Sequence, residues 1–199
     1  MRHRFAGRKF GRNPKHQRAL MRMLAVSLIL TERDDEDEDF EVSKNKYEGA
    51  PKVKGRMITT LQKAKEVRPF VEKCITIAKR SLPAKEAADA LLPSAERRSP
   101  EWDKWRKSEE WAKWNQAMTP VLAARRHILK LLRDKKAARL LFDVIAPRYV
   151  DRPGGYTRIL RLAKPRLGDA GTRALIEFVG KNDRPNKKAL KPSFVNEEK

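Results

Sequence analysis

Apolar residues recur with a regular period only in separated windows of this sequence, and the stretches between those windows are crowded with charge or punctuated by proline. A chain patterned in this way buries a core of limited size and leaves long extensions in solvent or against a charged partner. The partner is anionic: 47 lysines and arginines stand against 26 aspartates and glutamates, and the net charge of +21 repels itself until a polyanion relieves it. Nucleic acid suits that balance better than a membrane, since no stretch reaches the roughly 18 apolar residues of a span. The apolar run from Met23 to Leu30 has no small-residue cleavage site and an acidic run follows it, so it is set aside as a targeting signal.

The start of the chain is an arm: Arg2, Arg4, Arg8, Lys9, Arg12, Lys15, Arg18 and Arg22 come without one acid in the first 24 residues. Asn13 followed by Pro14 is a helix start, and Leu20, Met23, Leu24, Ser27 and Leu28 carry the period to about Leu30. From Glu32 to Glu41 there are eight acids around a single Arg33, and the lysine-rich stretch to Gly55 has no apolar period, so an insertion is expected over 34–56. Met57–Thr60 predicts a short strand. Thr60 caps a helix through Leu61, Ala64, Val67, Val71, Cys74, Ile75 and Ala78, which Pro69 should kink or divide.

A second insertion, 83–119, holds an Ala-rich helix candidate, Ala84–Leu92, and all four tryptophans. Thr119 and Pro120 restart a helix through Leu122, Ile128, Leu129 and Leu132; Asp134 caps another through Ala137, Leu140, Leu141, Val144 and Ile145, closed by Pro147. After Gly154 and Gly155 the period changes to two, over Tyr156–Leu162 and again over Ala174–Val179, which predicts an antiparallel hairpin. The expected fold is α+β in two layers: about four core helices on a small mixed sheet, with a basic arm (1–13), a single domain (1–180) and a flexible basic tail (181–199).

The start MRHR, the segment GRKFGRNPKHQRAL, the segment TTLQKAKEVRP from Thr59 to Pro69 and DKKAARLLFDVIAPRYVDRPGGYTRI, followed by GDA and ALIEFV, resemble in that order the family of bacterial large-subunit ribosomal protein seventeen. The resemblance covers the first 33 residues, Met57 to about Arg80, and Leu122 to Val179. It stops at the acidic stretch and at Pro83–Thr119, which the family lacks or keeps much shorter. Gln17 and Met23 stand where the family commonly has arginine and asparagine. The resemblance implies a structural, non-enzymatic constituent of the cytoplasmic ribosome, one copy per particle, bound to 23S rRNA near the outer end of the peptide exit tunnel and to neighbouring ribosomal proteins. The alternative from charge alone is a free RNA- or DNA-binding factor.

The chemistry expected of such a chain is phosphate neutralisation, because the A-form major groove is too deep and narrow for side chains to read. The arm supplies Arg2, His3, Arg4, Gly7, Arg8, Lys9 and Arg12, and the polar side of the first helix supplies Lys15, His16, Arg18 and Arg22 as candidate rRNA contacts. Phe5 and Phe10 either stack on bases or anchor the arm. Arg148, Arg152, Gly154, Gly155, Tyr156 and Arg158 form a second candidate cluster, a turn that would present guanidiniums beside exposed amides; its structural alternative is a turn with Tyr156 packed on the core. Scattered His3, His16 and His127 and the lone Cys74 offer no metal site, no cofactor or small-molecule site is expected, and no catalytic constellation is present. One helix from Pro100 to Pro120 would place Trp102 and Trp105 opposite Trp111 and Trp114, so that one pair docks internally and the other meets rRNA or a neighbour; a break near Ser108 would instead turn both pairs inward.

Overall fold

The computed structural model describes residues 8, 10–33 and 53–180. The acidic run Asp34–Glu41, the arm residues Arg2, His3, Arg4, Gly7 and Lys9, and the tail 181–199 lie outside them. Helix α1 (Pro14–Leu30) begins where the cap signal places it: the Lys15 N–H donates to the Asn13 side chain at 2.9 Å, and Pro14 sits in the first turn, where a missing N–H costs nothing. Its buried stripe is Ala25, Val26, Leu28 and Ile29, whereas Met23 is 61% exposed and Ser27 faces solvent. The expected stripe is thus turned, because α1 packs against both α2 and α5 and buries a wider face than one seam.

Strand β1 (Arg56–Thr60) leads directly into α2 (Leu61–Arg80), on which Ala64, Val67, Val71, Cys74, Ile75 and Ala78 are all fully buried, the stripe that the spacing predicts. Pro69 does not divide this helix. It lies on the exposed face, and the Lys65 carbonyl that loses its partner is on that same wet side. Between α1 and β1 the chain leaves at Arg33 and returns at Val53. The two ends are tied, since the Gly55 N–H donates to Thr31 Oγ1 at 3.1 Å while that hydroxyl donates to the Leu28 carbonyl at 2.6 Å. A long insertion at such a closed point adds little loop-closure cost.

Helices α3 (Leu82–Asp89), α4 (Pro100–Arg106) and α5 (Glu109–Leu132) follow. The Trp-bearing helix is broken, not continuous. Ser108 turns both its N–H (3.0 Å) and its hydroxyl (2.7 Å) back to the Trp105 carbonyl, ending α4, and Glu109 and Glu110 then open α5 with favourable charge at its N-terminus. Trp105 is buried, with Trp102 at 4.9 Å and Trp114 at 5.8 Å between ring centroids, so members of both pairs share one internal cluster. The expected restart at Thr119 and Pro120 does not occur: Pro120 lies inside α5, and the Thr119 hydroxyl donates to the Asn115 carbonyl at 2.9 Å.

Asp134 caps α6 (Lys135–Leu140) by accepting from the Ala137 N–H at 2.7 Å. A wider π turn, Leu141–Ile145, then runs into α7 (Ala146–Arg148), which contains Pro147 instead of ending before it. The wide turn shifts the bonding pattern just before the point where Pro147 offers no N–H. Strands β2 (Thr157–Arg161) and β3 (Arg173–Phe178) form the predicted hairpin. The sheet is antiparallel throughout, in the order β1-β3-β2, and not mixed. Strand β3, which buries Ala174, Ile176 and Phe178 on one face and Glu177 on the other, takes the protected centre and keeps the two mutually parallel strands apart.

Burial sets the titration of two core acids. It pushes the Cys74 thiol from an ordinary 9.0 up to about 12, partly opposed by the Lys73 charge, and the Tyr149 phenol from 10.0 up to about 12, opposed by Arg148. Both are protonated in the fold while the unfolded chain ionises them near 9.0 and 10.0, so their contribution is complete below pH 9 and lost as pH approaches 12. Denaturant midpoints should therefore decline from about pH 9 upwards, and Cys74→Ala should move the onset of the decline towards the phenol's range. A midpoint flat to about pH 11 would refute this assignment.

Candidate nucleic-acid interface

The turn before α1 is fastened by local chemistry. Gln17 Nε2 donates to the Gly11 carbonyl at 2.8 Å, so the residue that replaces the arginine common in the resembled family closes the end of the arm onto the helix. This sets Arg12, Lys15, His16 and Arg18 on exposed positions around one helix end. Arg22, half-buried, donates from Nε to the Leu131 carbonyl at 2.8 Å, one of the carbonyls that the C-terminus of α5 leaves without a helical partner.

Between the arm, α1, α2 and α5 lies a cleft of about 440 Å³. Arg8, Arg18, Arg22 and Lys130 line it, with Glu66 as the one carboxylate, and Phe10 and Phe70 form apolar wall. Four cations about a partly apolar cleft focus a positive field at its mouth, which is the electrostatic requirement for holding a phosphate backbone. Phe10 packs beside the cleft and remains half-exposed. Lys130 is a member that the arm-centred reading missed; its signal was weak, a lone lysine between Leu129 and Leu131 on another helix.

The second candidate cluster lies elsewhere. At ~100° per residue the α2 side chains that meet the arm, Glu66 and Phe70, are roughly 120–160° from Glu72, which meets the glycine turn. Lys79 Nζ donates to the Arg152 carbonyl at 2.7 Å, and the Thr157 hydroxyl donates to Glu72 Oε1 at 2.8 Å, so the turn is locked onto the far side of α2. Gly155 has φ +65, and nothing lies within 4 Å of an added Cβ at Gly154 or Gly155, leaving that backbone open to solvent. Arg152 curls back, donating from Nε to the Gly154 carbonyl at 3.2 Å.

Two members of this cluster are structural. Tyr156 is 2% exposed, its ring 5.1 Å from that of Tyr149, whose hydroxyl donates to the Val179 carbonyl at 2.8 Å; stacking on a base would require pulling it from the core. Arg148 donates both Nη atoms to buried Glu32, at 2.8 and 2.7 Å, which raises the guanidinium's pKa above its ordinary value and commits its end-on fork to the fold. Glu32 therefore belongs to the fold and not to the acidic insertion. Gly55 marks the closeness of this pair: a Cβ there would stand 2.6 Å from Glu32 Oε1. Arg158 pairs with Glu177, which Arg56 also contacts at 2.5 Å, yet it keeps part of its surface in solvent. Among the described residues no group of histidine, cysteine or acid side chains is arranged to hold a metal, and no helix is long and apolar enough to cross a membrane.

The family model described as Ribosomal protein L17 matches residues 53–179. Large ribosomal subunit protein bL17 of Rhodopirellula baltica is 58% identical over 194 residues, 98% of this chain and 88% of that protein, a match that spans the acidic and tryptophan-bearing segments. The proteins of the same name from Thermomicrobium roseum and Thermus thermophilus are 37% and 35% identical over 179 residues, or 90% of this chain and 99% of each relative.

The contrast between Arg148 and the cleft is measurable. Glu32→Ala leaves a guanidinium unpaired in a mostly buried place and should lower unfolding free energy by about 2–3 kcal/mol, below the full cost of a buried pair because Arg148 retains some solvent. RNA affinity of the folded variant should be near that of the parent chain. A chemical denaturation curve that does not move would show that the pair is not structural.

Proposed function

The chain belongs to the ribosomal protein L17 family, and from this premise we propose how it serves the large ribosomal subunit: it braces 23S rRNA through the arm, the exposed side of α1 and the cleft shared with α5. Membership of the family makes it a structural constituent of the ribosome and not an enzyme. The observation that carries the RNA reading is the convergence of Arg8, Arg18, Arg22 and Lys130 on one cleft with a single acid. Phosphates there relieve the self-repulsion of a +21 chain, and the counterions they release supply affinity. Arg2, His3, Arg4, Gly7 and Lys9, outside the described residues, are further rRNA contacts in this reading. Arg152, Gly154, Gly155 and Arg158 form a smaller contact on the other side of α2. A position near the outer end of the exit tunnel, in one copy per particle, beside other ribosomal proteins, follows from the family resemblance.

Reconstitution tests this directly. The chain should co-sediment with large subunits at one copy each and survive a high-salt wash, and removing Arg2–Arg12 should impair incorporation more than removing the tail after Lys187. Binding of the isolated chain to structured RNA should fall steeply with salt, and Arg18→Gln with Lys130→Gln should reduce the log–log slope by about 1.5, two contacts at about 0.7–0.9 each. A flat salt response, or a chain washed freely from subunits, would overturn the proposal.

A further inference from the structure

On the other side of α5 from the arm cleft is a second basic pocket, of about 140 Å³, between α5, α6 and the π turn. Arg125, Lys135 and Arg139 supply its charge; Leu129, Ala138 and Phe142 supply apolar wall. At ~100° per residue the midpoint of Arg125 and Leu129 on α5 lies roughly 170° from that of Lys130 and Leu131, which face the arm cleft. The last turns of α5 are therefore a partition with a cationic recess on each side.

The pocket is organised for an anion. The Arg125 guanidinium is held over the Phe142 ring at 5.3 Å from its centroid, and its Nε finds no acceptor. The neighbouring carboxylate of Asp143 lies 3.8 Å from Arg125 and 3.9 Å from Arg139, beyond hydrogen-bond reach, so it tempers the charge of the pair without satisfying Arg125. Lys135 and Arg139 are four residues apart on one short helix, which sets their Cβ atoms about 5–6 Å apart, comparable with the spacing of neighbouring phosphates along a strand. An oxyanion entering here would meet a positioned arginine and two exposed cations. Three cations to one acid, on a protein that already holds RNA on the opposite side of the same helix, favour a second phosphate backbone over an acidic peptide.

We infer that the Arg125–Lys135–Arg139 pocket is an RNA-phosphate site additional to the arm cleft and the glycine turn, and that the end of α5 is a wedge joining two separate RNA segments, one in each recess. This rests on the RNA-binding reading of the arm cleft. The test uses the full chain with two copies of one short RNA hairpin, labelled with donor and acceptor dyes, and the double variant Lys135→Gln/Arg139→Gln, whose melting curve verifies the fold. The parent chain should bring two hairpins together and give energy transfer, and RNA should slow acetylation of Lys135. The variant should lose the transfer while its affinity for a first hairpin changes less than about threefold. Transfer that persists in the variant when Arg152→Gln is also present, to weaken the contact at the glycine turn, overturns the pocket as an RNA site, as does a Lys135 that acetylates equally fast with RNA present. Protection of Lys135 by a polyglutamate peptide but not by RNA would likewise overturn it and assign the pocket to a protein partner. A parent chain that binds one hairpin but never two refutes the wedge alone, whereas one that binds none refutes the reading beneath it.

Discussion

Helix α2 touches α1, α5, α7 and all three strands, so the burial of its one stripe governs where those elements can lie. Val67, Val71 and Ile75 each contribute about 1.5–3 kcal/mol of transfer free energy, while Ala64, Cys74 and Ala78 supply little area but let neighbours approach closely. The alternation of large and small side chains lets a helix pack against helices on one side and a sheet on the other. It also separates the two candidate RNA surfaces, because the arm and the glycine turn dock on different faces of the same rod. Substitutions in this stripe would displace both surfaces together.

The acids and bases of the described residues divide their work. Glu32 holds Arg148, Glu177 lies between Arg56 and Arg158, Glu72 accepts from Thr157, Asp134 caps α6, and Asp169 pairs with Arg166, which depresses its carboxyl below the ordinary range. Most of these carboxylates fasten chain segments far apart in sequence, and two of them are buried. Arg8, Arg18, Arg22 and Lys130 line the arm cleft, and Arg125, Lys135 and Arg139 line the pocket on the other side of α5.

What the sequence made legible was local. Asn13 and Asp134 cap the helices they signal, the α2 stripe is buried residue by residue as its spacing requires, and the hairpin pairs as its alternation implies, because each of these is decided within one or two turns of chain. The pairing of Glu32 with Arg148 was invisible: an acid at the edge of an acidic run and an arginine in a basic turn each had a plausible local explanation, and only tertiary approach brings them together. The same is true of the recess formed by Lys130 with the arm and of the central place of β3. The break at Ser108 stood only as an alternative for another reason. Its signal was present, serine before two glutamates, but it competed with an apparently unbroken helical segment, as Pro120 competed with a cap motif that burial of Val121 overrode.

That override gives α5 its consequence. A break at Pro120 would have left two short helices with an adjustable angle between them; instead 24 residues run as one rod of about 36 Å. The proline is tolerated because it and the Gln116 carbonyl that loses its partner are both exposed to water. One end of the rod is set by the cluster of Trp102, Trp105 and Trp114, the other by Arg22 on the Leu131 carbonyl and by the Arg133 N–H on the Leu129 carbonyl at 2.8 Å. A helix held at both ends transmits orientation along its length, so the tryptophan-bearing segment, remote from the cationic recesses in sequence, helps determine the angle at which those recesses are presented. Phosphate contacts are short-ranged in a screened solvent, about one Debye length, and a surface that must meet a folded RNA at several points depends on that angle as much as on the charges it carries.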